Sequence, residues 1–184
     1  VKASALVLKN YLDFVAIGTI ADVAPLNGVN HILCKVGLQV LTQHVVNGRR
    51  LGVATLLRLA GWTGEEPVSS SDVGFKICPR LNAAGRLGTA LATEELLSCD
   101  EPKRARELAE LLHGENSDRQ FIEKAIKEQA FQQLLEMGSI PESIILYHPE
   151  WHTGVVGIVA SRVLEKYYRP TLILGSLSGK VKGT

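Results

Sequence analysis

The segment from Ile144 to Leu174 limits most strongly what this chain can fold into. Ile144-Ile145-Leu146-Tyr147 is a short apolar run, residues 155–168 have helical spacing, and Thr171-Leu172-Ile173-Leu174 is a second apolar run after Pro170. A strand, a helix and a strand within about thirty residues predict a βαβ unit with parallel strands and a right-handed crossover. The predicted fold class is therefore α/β.

The first hundred residues instead predict a succession of short helices. A helix over residues 6–20 is expected to end near Asp22, because Pro25 disfavours helical geometry just before it. Further helices are predicted within residues 32–41 and 52–60. A short helix capped at Ser69 is predicted to stop at Pro79, so that residues 80–88 form a loop before a helix over residues 90–97.

Residues 101–138 predict connector helices between these two parts. Pro102 is well placed in the first turn of one helix, and Ser117 with Gln120 has the spacing of a capping box that would open a second. Gly138 and Pro141 end the connector. The predicted domains are residues 1–100, 101–138 and 139–184.

Composition narrows the function classes. The 184 residues hold 20 Lys and Arg against 19 Asp and Glu, a net charge of +1, which excludes a disordered tail and a uniformly basic nucleic-acid wrapper. No apolar run reaches the roughly 18 residues of a membrane span, so a cytoplasmic protein without a membrane segment is expected. Charge is uneven, since residues 1–58 and 139–184 are basic and the middle is acidic. A polyanion would be drawn between basic ends that faced each other.

Three cysteines, Cys34, Cys78 and Cys99, are widely spaced and form no CxxC pair. Neither a disulfide framework nor a thiolate zinc site is suggested by this spacing. We interpret all three as small buried apolar residues.

The predicted loop over residues 79–88 is the first candidate for chemistry. Arg80, Asn82 and Arg86 lie in it among small side chains and glycines. Arginine offers a planar fork of donors that matches phosphate oxygens, and glycine lets a backbone approach a ligand closely. The same arginines could instead cap helix carbonyls or pair with nearby acids.

The second candidate follows the predicted strand 144–147 and opens the next helix. His152 stands at the mouth of that helix, with Gly154 and Gly157 after it. Amide groups at a helix N-terminus favour anions, so His152 and Gly154 are candidate phosphate contacts. Close packing of the helix on the sheet explains the glycines equally well. His148 and His152 are four residues apart, but Pro149 between them argues against a helical zinc pair.

Asp22, at the end of the first helix, is a candidate ligand for a hard cation such as Mn²⁺ or Mg²⁺. Asp13 is the only other acid in the first 58 residues, and one carboxylate does not make a metal site. A solvated residue in the last turn of the helix is the alternative.

Three segments together resemble a known family. YLDFVAIGTIADVAPLNGVN, DVGFKICPRLNAAGRLG and WHTGVVGIVASR stand in the order found in the RecJ-type single-strand-specific exonucleases of the DHH phosphoesterase superfamily. The likeness covers essentially the whole chain. It implies the C-terminal part of a DHH catalytic domain in residues 1–100, a long connector, and a truncated DHHA1-like substrate-binding domain in residues 139–184.

The resemblance also implies an activity: removal of nucleotides from single-stranded DNA in the 5′ to 3′ direction, in DNA repair and recombination, with Mn²⁺ or Mg²⁺ at a two-metal centre. By the resemblance, Asp22 is a metal ligand, Arg80, Asn82, Arg86 and Gly154 contact DNA, and His152 is catalytic through the scissile phosphate. No Asp-His-His occurs in the sequence. Most metal ligands are therefore expected in a part that precedes Val1, and the isolated chain is expected to be inactive.

Two other functions remain open from the sequence. One is a DHH-type phosphodiesterase that acts on short oligonucleotides or cyclic dinucleotides. The other is a non-catalytic module for nucleic-acid binding or protein interaction. The partners expected are single-stranded DNA and repair proteins, with a monomeric state.

Overall fold

A computed structural model of the chain describes residues 8–87 and 90–184, and the side chains of those residues other than 86, 87 and 90. The chain divides into two compact units, unit 1 (Val1–Asn116) and unit 2 (Ser117–Thr184). The boundary falls inside one continuous helix, α7 (Pro102–Glu136), which therefore contributes residues to both units.

Unit 1 is helical throughout its described part. After a 3₁₀ turn (Leu8–Tyr11), its helices are α1 (Leu12–Ala21), α2 (Gly28–Val46), α3 (Leu51–Leu59), α4 (Ser70–Asp72), a π-helical segment (Val73–Ile77), α5 (Cys78–Leu87), α6 (Ala90–Ser98) and the first part of α7. The core of the unit is aliphatic, and its fully buried members include Leu41, Leu56, Leu57, Ile77, Leu96, Leu108 and Leu112. These residues come from five different segments, so burial joins short helices that would be marginal alone.

Glycine allows two of these helices to meet closely. A methyl group on Gly37 of α2 would overlap the carbonyl oxygen of Leu12 and lie 2.7 Å from Cβ of Ala16, both on the α1 side. A side chain at position 37 would therefore separate α1 from α2. The pairing of the two helices depends on this glycine.

The region between Ser70 and Leu87 differs from the prediction. A loop was expected after Pro79, but the helix continues without a break from α4 through the π-helical segment into α5. Cys78 N–H donates to the carbonyl oxygen of Val73, a five-residue spacing that widens the turn just before Pro79. Such a turn accommodates a proline ring that would clash with an ordinary helical turn. Burial of Ala83 and Ala84 then favours continuation of the helix over a loop.

The connector also differs from the prediction. Pro102 begins α7 as expected, but Ser117 does not open a second helix, because α7 runs for 35 residues without interruption. Its length is about 50 Å at 1.5 Å per residue. Apolar side chains are buried along both halves of α7: Leu108 and Leu112 in unit 1, and Ile126 and Leu134 in unit 2. Packing at both ends offsets the local preference of Ser117 for a cap.

Unit 2 contains the predicted βαβ arrangement. Strand β1 (Ile144–Tyr147) and strand β2 (Thr171–Leu177) are joined through α8 (Val156–Tyr167) and pair in parallel, with Ile144 opposite Thr171 and Tyr147 opposite Leu174. The inner face of the sheet buries Ile144, Leu146 and Ile173 against α8 and the second half of α7. The α/β fold class is confirmed.

A third strand was not predicted. Strand β3 (Lys180–Gly183) pairs antiparallel with β2, so the strand order is β1-β2-β3. Ser178 and Gly179 both have positive φ, 51° and 75°, which is the signature of a two-residue type I′ hairpin turn. The Ser-Gly pair is the sequence signal that could have predicted this turn. The residues of β3 are mostly polar, so their composition does not indicate a strand.

Two smaller expectations concern cysteines and membranes. Cys34 and Cys78 are buried as predicted, whereas Cys99 is only half-buried. Burial raises the pKa of the Cys78 thiol to about 11, so this thiol is protonated and unreactive at neutral pH. Within the described ranges, no helix combines the length and apolar character needed to span a bilayer.

Candidate functional site

Asp22 lies where the sequence predicted it, immediately after α1. It is the C-terminal cap residue of that helix, its N–H donates to the carbonyl oxygen of Gly18 at 3.0 Å, and its side chain is exposed. The backbone is thus fixed by the helix while the carboxylate remains accessible. Asp22 can offer an oxygen ligand from a rigid position.

The residue after Asp22 has a strained backbone. Val23 N–H donates to Ile20 and Ala24 N–H donates to Thr19, both at 3.1 Å, which is the hydrogen-bond pattern of a Schellman motif. The pattern requires a left-handed residue at position 23, and Val23 has a φ of 53°. Glycine usually occupies this position, because a β-branched side chain is strained there. The strain lies beside the candidate metal ligand.

The described residues do not contain a complete metal centre. Across residues 8–87 and 90–184, no three His, Cys, Asp or Glu side chains come together in a group that could hold a metal ion. A two-metal centre needs several carboxylate or imidazole ligands, and Asp22 supplies one. These residues therefore do not by themselves make a site for Mn²⁺ or Mg²⁺.

Arg80 lies on α5 and is half-buried rather than in an open loop. Its Nη1 donates to the carbonyl oxygen of Lys76 at 2.7 Å, and its Nε donates to Nδ1 of His113 at 3.1 Å. Burial lowers the pKa of the guanidinium, which stays protonated at neutral pH. Lys76 belongs to the π-helical segment, so Arg80 satisfies a carbonyl in that widened turn. This contact is the carbonyl cap that was weighed as the alternative to phosphate binding.

The helical form of α5 separates the other candidates. Successive residues turn by about 100°, so Arg80 and Asn82 point roughly 200° apart. Asn82 is exposed, and position 86 follows it by one helical turn. The side chain of Arg86 and residue Gly88 lie outside the described part of the chain. The convergence that a loop would have allowed for Arg80 and Asn82 is absent.

The segment that ends at Asp22 and the segment that leads to Arg80 lie on neighbouring elements of unit 1. A methyl group on Gly74, in the π-helical segment, would lie 3.9 Å from Cγ2 of Ile20 near the end of α1. Ile17, Val73 and Ile77 share the same apolar cluster. The helix that ends at Asp22 therefore packs on the segment that leads to Arg80.

His152 lies in unit 2, in the turn between β1 and α8. Its side chain is exposed, and its carbonyl oxygen accepts hydrogen bonds from the N–H groups of Val155 at 2.9 Å and Val156 at 3.2 Å. These two amides at the start of α8 are therefore used by the turn itself. An anion at this turn would meet the His152 side chain rather than amides of Val155 or Val156.

A backbone hydrogen bond favours one tautomer of the neutral His152 ring. Gly154 N–H donates to Nδ1 of His152 at 3.2 Å. A ring nitrogen that accepts a hydrogen bond carries no proton, so in the neutral ring the proton resides on Nε2. His152 therefore presents Nε2–H as a donor, and Gly154 contributes by orienting the ring. His148 shows the same pattern, with its Nδ1 accepting from Glu150 N–H at 3.2 Å.

Two arrangements were missed from the sequence. Asp13 is fully buried and binds His44 and Arg50 instead of standing near a metal. Trp151 is buried beside His152, and its Nε1 donates to Oε1 of Gln129 on α7 at 2.6 Å. Each pairing joins residues more than twenty positions apart, and the local patterns used to predict helices and strands carry no information on such contacts.

Comparison with known proteins gives a consistent result. No family model matches the chain. Single-stranded-DNA-specific exonuclease RecJ of Haemophilus influenzae is 42% identical over 179 residues, which is 94% of this chain and 30% of the relative. The protein of the same name from Escherichia coli is 39% identical over 183 residues, 96% of this chain and 31% of the relative.

Solved structures agree with the sequence comparison. The crystal structure of Thermus thermophilus RecJ in complex with Mg²⁺ superimposes with a TM-score of 0.78 at 38% identity, covering 91% of this chain and 25% of that chain. A structure of exonuclease RecJ bound to manganese has the same TM-score of 0.78 at 36% identity, covering 96% and 43%. The chain is therefore similar, in sequence and in fold, to one part of the RecJ exonucleases.

The chain spans about a third or less of the curated RecJ proteins it matches. The match covers 94% and 96% of this chain in the two relatives, so it takes in residues of both the helical unit 1 and the βαβ unit 2. The solved relatives are described as complexes with Mg²⁺ and with manganese, whereas the described residues of this chain gather one candidate ligand, Asp22.

Proposed function

We propose that the chain is part of a RecJ exonuclease that removes nucleotides from single-stranded DNA in the 5′ to 3′ direction, in DNA repair and recombination. One observation carries this proposal. The exposed His152 presents Nε2–H from the turn after β1, in a chain that is 42% identical to a single-stranded-DNA-specific exonuclease over nearly its whole length. A fixed donor of this kind suits a phosphate oxygen, where negative charge increases during hydrolysis.

The residue roles within the proposal follow the sequence motifs. His152 donates to the scissile phosphate, and Gly154 holds its ring in the required form. Arg80, Asn82 and Arg86 contribute to DNA contact from unit 1. For Arg80 the support is weaker, because two of its nitrogens already bond within the protein.

Asp22 is proposed as one ligand of a divalent cation, Mn²⁺ or Mg²⁺, whose other ligands lie outside the described residues. The exposed carboxylate at a fixed helix end supports this role. The described residues do not form a complete site for this cation by themselves.

The setting of the enzyme is part of the proposal. We expect a monomer that acts in the cytoplasm, where the DNA of bacteria such as those named above is found. Contacts with other repair proteins are expected as well. The 184-residue chain alone should not hydrolyse DNA, because its described residues supply one candidate metal ligand, Asp22.

The test uses the complete polypeptide that carries these residues. Digestion of a long single strand labelled at either end is measured with Mn²⁺ or Mg²⁺, and with duplex DNA, short oligonucleotides and cyclic dinucleotides as competing substrates. Release from the 5′ end of the single strand is the expected result. Preference for dinucleotides would indicate the other class of phosphodiesterase, and binding without turnover would indicate a binding module.

Two substitutions examine the assigned residues. His152→Ala should lower kcat by about a hundredfold, the effect of removing one preorganised donor. His31→Ala is the matched control, since His31 is an exposed histidine on α2. Asp22→Asn should abolish hydrolysis and leave binding of single strands within about twofold. Unchanged turnover in either His152→Ala or Asp22→Asn would contradict the role given to that residue.

A further inference from the structure

The turn that carries His152 is anchored by the residue before it. The side chain of Trp151 is 2% exposed and belongs to the apolar cluster of unit 2, together with Val155 and Ile144. An indole N–H can only donate, and a buried donor without an acceptor costs about 1–3 kcal/mol. The position of the indole therefore depends on where its acceptor stands.

The acceptor comes from the connector helix. Oε1 of Gln129, on α7, accepts from Trp151 Nε1 at 2.6 Å. Gln129 itself is exposed, so the hydrogen bond joins the buried indole to a side chain on the surface of α7. This hydrogen bond is a direct link between α7 and the turn after β1.

The opposite side of the turn is held by a backbone contact. A methyl group on Gly175 of β2 would overlap the carbonyl oxygen of Trp151 and lie 3.5 Å from Cγ2 of Thr153. Trp151 N–H also donates to the carbonyl oxygen of His148 at 3.2 Å. The peptide between Trp151 and His152 thus lies directly against β2.

These contacts bear on the direction in which His152 points. His152 follows Trp151 directly, and its ring is oriented by a single hydrogen bond from Gly154. Without that acceptor the buried indole would have to move bodily toward solvent to bond its N–H, and such a movement would displace the Trp151 backbone to which His152 is attached. The Nε2–H donor would then shift, and a shift of about 1 Å at a reacting group costs as much as a hundredfold in rate.

We propose that Gln129 is a positioning residue, which holds His152 toward the phosphate through its hydrogen bond to Trp151. The proposal rests on the phosphate role proposed above for His152. It assigns a part in the reaction to the connector helix, whose charged and amide-rich face otherwise has only the properties of a solvated surface.

A neighbouring glutamine provides a matched control. Gln132 lies one turn further along α7, and its amide donates to Oε1 of Glu136 at 2.9 Å instead of to the turn. Gln129 and Gln132 both line the same groove of about 530 Å³ beside His148. An effect that came only from replacing a glutamine on this face of α7 would therefore appear equally at Gln129 and at Gln132.

Three variants of the complete polypeptide test the proposal. Gln129→Glu keeps an acceptor for the indole, Gln129→Met keeps the size but removes the acceptor, and Gln132→Met is the control. Hydrolysis of single-stranded DNA gives kcat and KM per folded protein. Hydrogen exchange of the Gly154 amide, which donates to His152, reports the turn without any reaction.

Gln129→Met should lower kcat by about five- to tenfold with KM within about twofold, the loss that one hydrogen bond supplies. It should also accelerate Gly154 exchange, while Gln129→Glu and Gln132→Met stay near the unsubstituted protein in both measurements. Equal effects of Gln129→Met and Gln132→Met, or unchanged Gly154 exchange in Gln129→Met, would overturn the proposal. Faster exchange in a protein that does not degrade single strands would overturn the proposed function and leave the anchor in place.

Discussion

Nδ1 of His44 lies 2.8 Å from Oδ2 of Asp13 in the interior of unit 1. The same carboxylate oxygen accepts from Nε of Arg50 at 2.7 Å, and Phe14 N–H donates to the other oxygen at 2.8 Å. Asp13 is on α1, His44 near the end of α2, and Arg50 at the cap of α3. One buried carboxylate therefore joins three helices.

Replacement of Asp13 should be strongly destabilising. Asp13→Asn leaves Arg50 without its counter-charge in a site where the arginine side chain is 13% exposed. Removing one partner of a buried ion pair costs about 3–5 kcal/mol. The free energy of unfolding can be measured in urea through Trp62, in a Trp151→Phe background that leaves unit 1 as the fluorescent unit.

The effect of Asp13 should depend on pH. Burial alone raises the pKa of the Asp13 carboxyl, but hydrogen bonds from Arg50 and then His44 lower it below the ordinary value of 3.8. A lowered folded-state pKa adds stability that is complete above 3.8 and is lost as pH falls through the folded value. The difference in the free energy of unfolding between the unsubstituted protein and Asp13→Asn should therefore become smaller as the pH falls below the ordinary pKa of the carboxyl. A difference in unfolding free energy that stays constant at low pH would show that the charge of Asp13 does not stabilise unit 1. The control is Asp118→Asn, at an exposed site.

Substitutions at Arg80 and at Asn82 should differ in their effect on the free energy of unfolding. Arg80→Met removes the donors to Lys76 and His113 and should cost about 1.5–3 kcal/mol, the range for hydrogen bonds that involve a charged group. Asn82→Ala, at an exposed position on the same helix, should change stability by less than about 0.5 kcal/mol. Urea unfolding followed by Trp62 fluorescence measures both. Equal stability of the two variants would mean that the Arg80 contacts contribute nothing net.

Two glycines should respond in opposite ways to alanine. Gly175→Ala places a methyl group against the Trp151 carbonyl and should destabilise unit 2 by about 1–3 kcal/mol. Gly114, within α7, has nothing within 4 Å of such a methyl group, so Gly114→Ala should stabilise the helix by about 0.5–1 kcal/mol. Fluorescence of Trp151 in a Trp62→Phe background reports the first change, and circular dichroism during thermal unfolding reports the second. A neutral Gly175→Ala would disprove the tight contact.

Val23→Gly should stabilise unit 1. Val23 has a φ of 53° and its side chain is 86% exposed, so glycine relieves backbone strain and gives up little buried surface. The left-handed penalty of about 1–2 kcal/mol exceeds the entropic cost of glycine, and a net gain of about 0.5–1 kcal/mol is expected. The midpoint of urea unfolding checks the sign. If strain at Val23 also sets the position of Asp22, hydrolysis by the more stable variant should fall.

The region around Pro79 shows why sequence patterns were insufficient in unit 1. Proline and glycine at positions 79 and 85 are ordinary signals for a loop. The structure keeps a helix there, because a π-helical turn precedes Pro79 and Arg80 bonds to the Lys76 carbonyl. The outcome depended on buried contacts of α5 with the rest of unit 1, which no local pattern contains.

The sequence by itself determined the βαβ unit, the end of α1 at Asp22, the start of α7 at Pro102 and the turn that presents His152. These features depend on apolar periodicity and on proline and cap residues within a few positions, so local physics is sufficient. Only the tertiary structure decided that α7 is one helix, that β3 joins the sheet, and that Asp13 pairs with His44 and Arg50. Those outcomes depend on contacts between residues up to 37 positions apart, where burial outweighs local preference.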